Sequence, residues 1–371
     1  MKGWLLKIHR WVALAFALPL IVVIGTGLLL SVEPWLVEQS IQPNALTTAS
    51  IEQLLGQHDP NGQARSLVYR SYDKTLTIGA GRGGGTVIDT VTGEVRPRAS
   101  TLASALLAAR QIHESLLLNL GWLVIASTAA MLVLTVLGVL MGWPRFSNSL
   151  SGWHKAMAWG LLPLIVLSPL TGLLMAAGIT FTGQSAGSGG RATPMPLVEA
   201  VRVIGKDHDL SKLVWLRPLG GRLVARLVED GEFATYVVTR EGSAAVPRNW
   251  PRLWHEGNFA GVWSALMNVI ISFAMLGLLG TGTWIWLRRQ RRRRARRARA
   301  RLNTAGVSGG PAGDGPNTHR WPERLLQIFK LKERKASQQR NDQLTALPPH
   351  RSACRRDRPD GTSPAGIWPG A

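Results

Sequence analysis

The sequence predicts an α-helical membrane protein: four transmembrane helices in a duplicated two-helix unit, with one small α+β module outside the membrane per half. Three observations lead there. Four apolar stretches are each long enough to cross about 30 Å of hydrocarbon. The segments between spans one and two, and between spans three and four, each read as a helix followed by strands. Short marks recur between the halves at nearly constant offsets.

Residues 1–10 are short and basic, with Lys2, Lys7 and Arg10. The first span is expected over 11–32, interrupted by Pro19, Gly25 and Gly27, which membrane helices tolerate. It ends at Glu33-Pro34 with no clear small-residue cleavage site, so it reads as a retained anchor. Basic charge before it and acidic charge after it orient the N-terminus to the cytoplasm. Residues 33–112 form the first periplasmic module. A helix is expected from Ser50, as N-cap, through Leu55. Strands follow at Ser66–Tyr69, Thr75–Ile78 and Thr86–Asp89, with turns at Gly81–Gly85 and Thr92–Glu94.

The second span is assigned to 113–142 and a short basic cytoplasmic loop, carrying Arg145, to 143–153. The third span covers 154–179, broken by Pro163 and Pro169. The second periplasmic module, 180–254, opens with a glycine-serine stretch at Gly183–Gly190. A helix from Pro196 and strands at Leu213–Leu216, Arg222–Leu227 and Thr235–Val238 follow. The fourth span is 255–287. The remainder, 288–371, is a basic cytoplasmic tail expected to be largely disordered.

Charge and cysteine usage narrow the classes. The formal net charge is +21, but much of it lies after residue 287, directly behind a span. There it is a topology signal or an anionic-lipid contact rather than a nucleic-acid interface. A single cysteine, Cys354, excludes an internal disulfide framework and a thiolate metal cluster. Ten tryptophans, among them Trp4, Trp11, Trp122 and Trp263, stand near span ends as an interfacial belt.

The repeat is specific. His9 precedes Thr26-Gly27-Leu28-Leu29 by 17 residues, and His154 precedes Thr171-Gly172-Leu173-Leu174 by the same 17. His113-Glu114 precedes Leu137-Gly138 by the interval that separates His255-Glu256 from Leu279-Gly280. Parallel repeats imply a pseudo-twofold axis along the membrane normal. That axis sets His9 opposite His154 at one depth and His113 opposite His255 at another.

Facing histidine pairs of this kind suit two b-type haems, each with two axial imidazoles. Such iron exchanges electrons with little rearrangement and offers no open position to oxygen. Gly25, Gly27, Gly138, Gly172 and Gly280 would let a flat macrocycle approach the helices. Arg10 and Lys155 flank the inner pair as candidate propionate partners. Glu114 and Glu256 are expected to cap their helices. His58 and His208 read as ordinary surface residues. No catalytic residue is assigned. Ligands at the very edges of straight spans would be about 35 Å apart, so the reading requires tilted helices or ligands displaced toward the core.

The motifs Lys7-Ile8-His9-Arg10-Trp11, Gly25-Thr26-Gly27 and Trp153-His154-Lys155, with the four-span plan, resemble the PepSY-associated transmembrane family over residues 1–290. The segments at about 45–100 and 192–248 are similar to its periplasmic PepSY-like modules. The resemblance implies an inner-membrane location and, for some members, haem-dependent reduction of ferric siderophores, with His9, His113, His154 and His255 at ligand positions. No dinucleotide fingerprint of the glycine-helix type is present. A quinol or a separate redox protein is therefore the expected donor. Two other readings stand beside this one. A haem-free anchor could present PepSY-like modules to a periplasmic protease or other partner. A transporter or assembly partner in iron uptake would use the prolines as hinges.

Overall fold

The computed structural model describes residues 2–81, 84–116, 119–143, 146–181 and 195–307. The glycine-serine stretch, Arg145, the centre of the Gly81–Gly85 turn and the tail with His319, His350 and Cys354 lie outside them. Residues Met1–Arg297 form one compact unit, and a second begins at Ala298.

The chain opens with α1 (Lys2–Ala15) and α2 (Ala17–Leu30), parted at Phe16. Pro19 explains the break. It has no N–H to give to the carbonyl four residues back, and its ring crowds that carbonyl. A short α3 (Glu33–Ser40) and α4 (Thr48–His58) follow. The N-cap of α4 is Thr47, not Ser50. Ser50 is its capping-box partner, each side chain accepting the other's backbone N–H. Next are α5 (Thr101–Ser115), α6 (Gly121–Leu140), α7 (Leu150–Gly160) and α8 (Leu162–Ala176). Then come α9 (Leu197–Asp207), α10 (Trp250–Glu256) and the long α11 (Val262–Val307).

Three helical stretches are long and apolar enough to cross a membrane: Ala17–Ser40, Gly121–Leu140 and Val262–Arg301. A fourth candidate is the pair α7 and α8, bent by 65°. The bend falls at Leu161, just before Pro163, for the same reason as at Phe16. The protein is a multi-pass membrane protein. Its bundle core is Leu20, Ile24, Ile271 and Met275, with Phe16, Met131 and Leu164 against it. Leu18, Ile21, Val136 and Leu140 point outward, as do Trp4, Trp11, Trp122, Trp143, Trp153 and Trp263, which suits lipid contact.

His113 and His255 do not open the second and fourth spans. They end separate helices, α5 and α10, which pack against α2 and α8. α6 begins only at Gly121, and a turn at Gly257–Gly261 intervenes before α11.

The extramembrane segments also differ from expectation. Strands β1 (Ser66–Arg70), β2 (Thr75–Gly81) and β3 (Gly84–Asp89) come from the first. The second supplies β4 (Leu213–Leu219), β5 (Arg222–Glu229), β6 (Glu232–Thr239) and β7 (Gly242–Ala245), the last not foreseen. They do not make two separate sheets. All seven strands join one sheet in the order β3-β2-β1-β4-β5-β6-β7, closed at the centre by antiparallel pairing of Leu67 with Leu216 and Val68 with Trp215. One core unites both halves: Ile51 and Leu54 of α4, Val201 and Ile204 of α9, and Leu67, Leu76, Leu216 and Leu227 of the sheet. Three or four strands and one helix have too little apolar surface to stand alone, and pooling two such sets supplies it.

Candidate functional site: two pairs of histidines

The ring of His113 reaches the middle of α2. Its Nδ1 lies 2.9 Å from the carbonyl oxygen of Val23 and 3.2 Å from Thr26 Oγ1. His255 stands in the same relation to α8, with Nδ1 3.1 Å from the Ser168 carbonyl and 3.3 Å from Thr171 Oγ1. A carbonyl oxygen can only accept, so Nδ1 carries the proton in both rings. The threonine hydroxyls donate to their own helices, Thr26 to Val22 and Val23, and Thr171 to Leu167 and Ser168. They too are left as acceptors. Nε2 of each histidine then carries a free lone pair.

The inner histidines follow the same logic with different partners. His9 Nδ1 lies 3.1 Å from the Leu134 carbonyl of α6. His154 Nδ1 lies 2.8 Å from Thr281 Oγ1, whose proton goes to the Gly277 carbonyl 2.6 Å away. His9 stands close enough to His154 for a charge on one to act on the other.

The outer rings face each other with centroids 6.0 Å apart, tilted by 45°. Two imidazoles bound to opposite sides of one metal, at about 2 Å per bond, would have their centroids roughly 6 Å apart. Among the described residues no three metal-binding side chains cluster. A bare ion that needs four protein ligands is therefore poorly served. A metal whose remaining positions are filled by a macrocycle fits two imidazoles well.

Glycine makes the approach of the histidines possible. A Cβ at Gly27 would sit 3.1 Å from Cε1 of His113, and one at Gly172 would sit 3.0 Å from Cε1 of His255. These two glycines admit the histidine rings themselves. Beside Gly25, Gly138 and Gly280 the space at the backbone is open. Thr26 and Gly27 match Thr171 and Gly172 at an offset of 145 residues, as do Val23 and Ser168. The Thr-Gly mark read from the sequence as a sign of repetition is thus the seat of the outer histidines.

Several expected roles change. Glu114 and Glu256 stand at the C-terminal ends of α5 and α10, so neither caps a positive helix end. Glu256 instead accepts from Arg226 of β5 and Asn258, each at 2.8 Å, and pairs with Arg252 at 3.2 Å. Asn268 of α11 donates to the His255 carbonyl at 2.8 Å. The helix of His255 is therefore tied to both the sheet and a span. On the other side Arg110, one turn before His113, pairs with Glu33. Arg226 and Asn268 carried no sequence signal, since their partners lie on other elements, and Asn258, two residues from Glu256, is marked by no motif. Arg10 and Lys155 form no ion pair among the described residues. His58 donates from Nε2 to the Gly93 carbonyl at 3.0 Å and is part-buried.

A family model for the PepSY-associated TM region matches residues 6–289, a stretch that includes all four histidines. The chain belongs to the PepSY-associated transmembrane family. The match takes in both extramembrane segments and stops just after the last span, leaving out the basic tail. No curated protein matches the sequence.

Proposed function

We propose that this PepSY-associated protein is a dihaem reductase of the bacterial inner membrane. His113 and His255 would hold one b-type haem, and His9 and His154 the other. The terminal acceptor is periplasmic, with ferric siderophore as the favoured candidate. The observation that carries this reading is the shared state of the four histidines. Each is protonated at Nδ1 by the bond it makes to a neighbouring helix, and each presents Nε2. Ligand histidines are characteristically fixed this way, because a bond at one nitrogen sets the ring's orientation and raises the basicity of the other.

Each haem, when bound, supplies a one-electron iron couple whose six-coordinate geometry changes little between oxidation states. The residues around it orient and shield. Val23, Ser168 and Leu134 hold rings through carbonyls that cannot move without unwinding a helix. Leu20 lies between His9 and Val23 along the chain and, with Ile271 and Met275, keeps the bundle dry. The ligand levels are also nearer than the span edges. From His9 to Val23, where His113 docks, is roughly 21 Å of helix, and the break at Phe16 shortens it further.

The duplicated unit is supported by the repeated outer contacts and by the sheet, whose halves meet at the β1–β4 seam. Four spans place both termini on one side. Lys2, Lys7 and Arg10 at one end and the arginines from Arg288 at the other favour the cytoplasm for that side. The sheet is then periplasmic. A cysteine placed at the exposed Val91 should react with an impermeant maleimide in spheroplasts. Labelling only after lysis would reverse the orientation.

The deciding experiment is a dithionite-reduced minus oxidised spectrum with haem quantified per chain. Two low-spin b-type haems are expected. One should be lost in His113→Ala and in His255→Ala, the other in His9→Ala and in His154→Ala. Haem-free protein from cells with ample haem would end this reading. It would favour a membrane anchor presenting its sheet to a periplasmic protease or other partner, or a transport role in iron uptake.

A further inference from the structure

His208 is not an ordinary surface residue. It caps the C-terminus of α9 and lies on the helix-covered face of the sheet, beside the β6–β7 edge. Its Nδ1 is 2.7 Å from Glu229 Oε1, at the end of β5. Its Nε2 is 3.2 Å from Ser243 Oγ, on β7. The other Glu229 oxygen accepts from the Tyr236 hydroxyl, and the Tyr236 ring lies 4.5 Å from the imidazole centroid. An acid, an imidazole and a hydroxyl are thus in series, with the acid on Nδ1 and the hydroxyl on Nε2. That order suits a general base acting on a serine. Both carboxylate oxygens are engaged and Tyr236 backs the ring, so the imidazole is held in one orientation.

The backbone around Ser243 adds a second element. The Val246 N–H donates to the Thr235 carbonyl at 2.7 Å, so this pair is hydrogen-bonded. Antiparallel pairs alternate between bonded and non-bonded. Val237 with Ala244 is then bonded, and Val238 with Ser243 is not. The Ser243 N–H therefore points away from β6. β7 is the last strand of the sheet, so this N–H faces an open edge. The nucleophile's own N–H is a usual donor to the oxyanion of acyl transfer. Ser243 itself is only partly buried, and the two strand residues after it are exposed.

We propose that Ser243, His208 and Glu229 form an acyl-transfer site for small carboxylic esters, independent of any haem. Ser243 Oγ attacks the ester carbonyl as His208 Nε2 takes its proton. Glu229 stabilises the imidazolium through Nδ1–H, and the Ser243 N–H receives the oxyanion. The tetrahedral species collapses, the C–O bond to the alcohol breaks, and the alcohol leaves with the proton from Nε2. Water then adds to the acyl-serine, giving its proton to His208. The carboxylic acid leaves, and the proton returns to Ser243 Oγ.

The test uses the full-length detergent-solubilised protein and a fluorophosphonate probe, with the modified peptide mapped by mass spectrometry. Ser243 should be phosphonylated in the native chain. Ser243→Ala should remove that label and the turnover of p-nitrophenyl acetate, with the unfolding midpoint unchanged. His208→Gln should slow labelling about a hundredfold. Glu229→Gln keeps the side-chain shape and should slow it less, a check that stands if the histidine variant does not fold. A folded native chain whose Ser243 stays unmodified would overturn the proposal. So would equal labelling rates in native protein and a folded Glu229→Gln or His208→Gln variant. Either result makes the cluster a structural tie between α9 and the sheet edge.

Discussion

A histidine whose Nδ1 donates to a main-chain carbonyl, or to a hydroxyl whose own proton is already given away, has one nitrogen left to offer, and all four span-associated histidines offer the same one. The glycines opposite the outer pair make this sensitive to single methylenes. A Cβ 3.0–3.1 Å from an imidazole carbon is tighter than ordinary contact, so larger side chains there must displace the ring. On the dihaem proposal, Gly27→Val and Gly172→Val should each remove about one haem per chain while leaving the inner one, as read by haem quantification and the reduced spectrum. Unchanged haem content in both variants would show that neither ring is a ligand. At Asp89 a titration is legible. Burial works to raise its pKa. Donors from the Val91 and Thr92 N–H groups and Arg96 outweigh that and hold the carboxylate below its usual range. A depressed folded pKa means the stabilisation is complete above the ordinary carboxylate pKa and is lost as pH falls through the folded value. Unfolding midpoints should therefore drop on acidification, and Asp89→Asn should flatten that dependence.

Between elements, the consequential tie is the buried Arg226–Glu256 pair, which joins a central strand to the helix of His255. Removing Arg226 takes away the most buried partner of Glu256 and leaves it Arg252 and Asn258. Arg226→Ala should cost about 2 kcal/mol, seen as a lower unfolding midpoint. On the dihaem proposal, the haem at His113 and His255 should also be lost more readily than the other on mild heating of that variant. Arg226→Lys should restore part of both. The break at Phe16 and the bend at Leu161 belong to this scale as well. Each follows from a proline two or three residues later, so Pro19 and Pro163 were readable as interruptions, but the 65° angle between α7 and α8 was not.

For the whole molecule, the single sheet is the decisive feature. Leu67 and Leu216 face each other across the β1–β4 seam, and both are fully buried. Leu216→Ala should cost about 3 kcal/mol and should lower the stability of both segments together. Hydrogen exchange of strands β1–β3 and β4–β7 should then accelerate in parallel. Independent acceleration of β4–β7 alone would mean that the halves fold separately.

Local pattern by itself determined the apolar stretches, six of the seven strands and the four histidines at repeated intervals, because periodicity and spacing are properties of contiguous residues. It also marked Thr26-Gly27 and Thr171-Gly172, though as a repeat rather than as the seats of His113 and His255. Only the tertiary structure decided that the two segments share one sheet and that those histidines dock midway along neighbouring helices. It alone showed that His208, Glu229, Tyr236 and Ser243 meet. Apart from Tyr236 with Glu229, those contacts join residues tens of positions apart or more. Strand pairing across the seam and hydrogen bonds between helices depend on how the buried faces fit together, which no local pattern of residues carries.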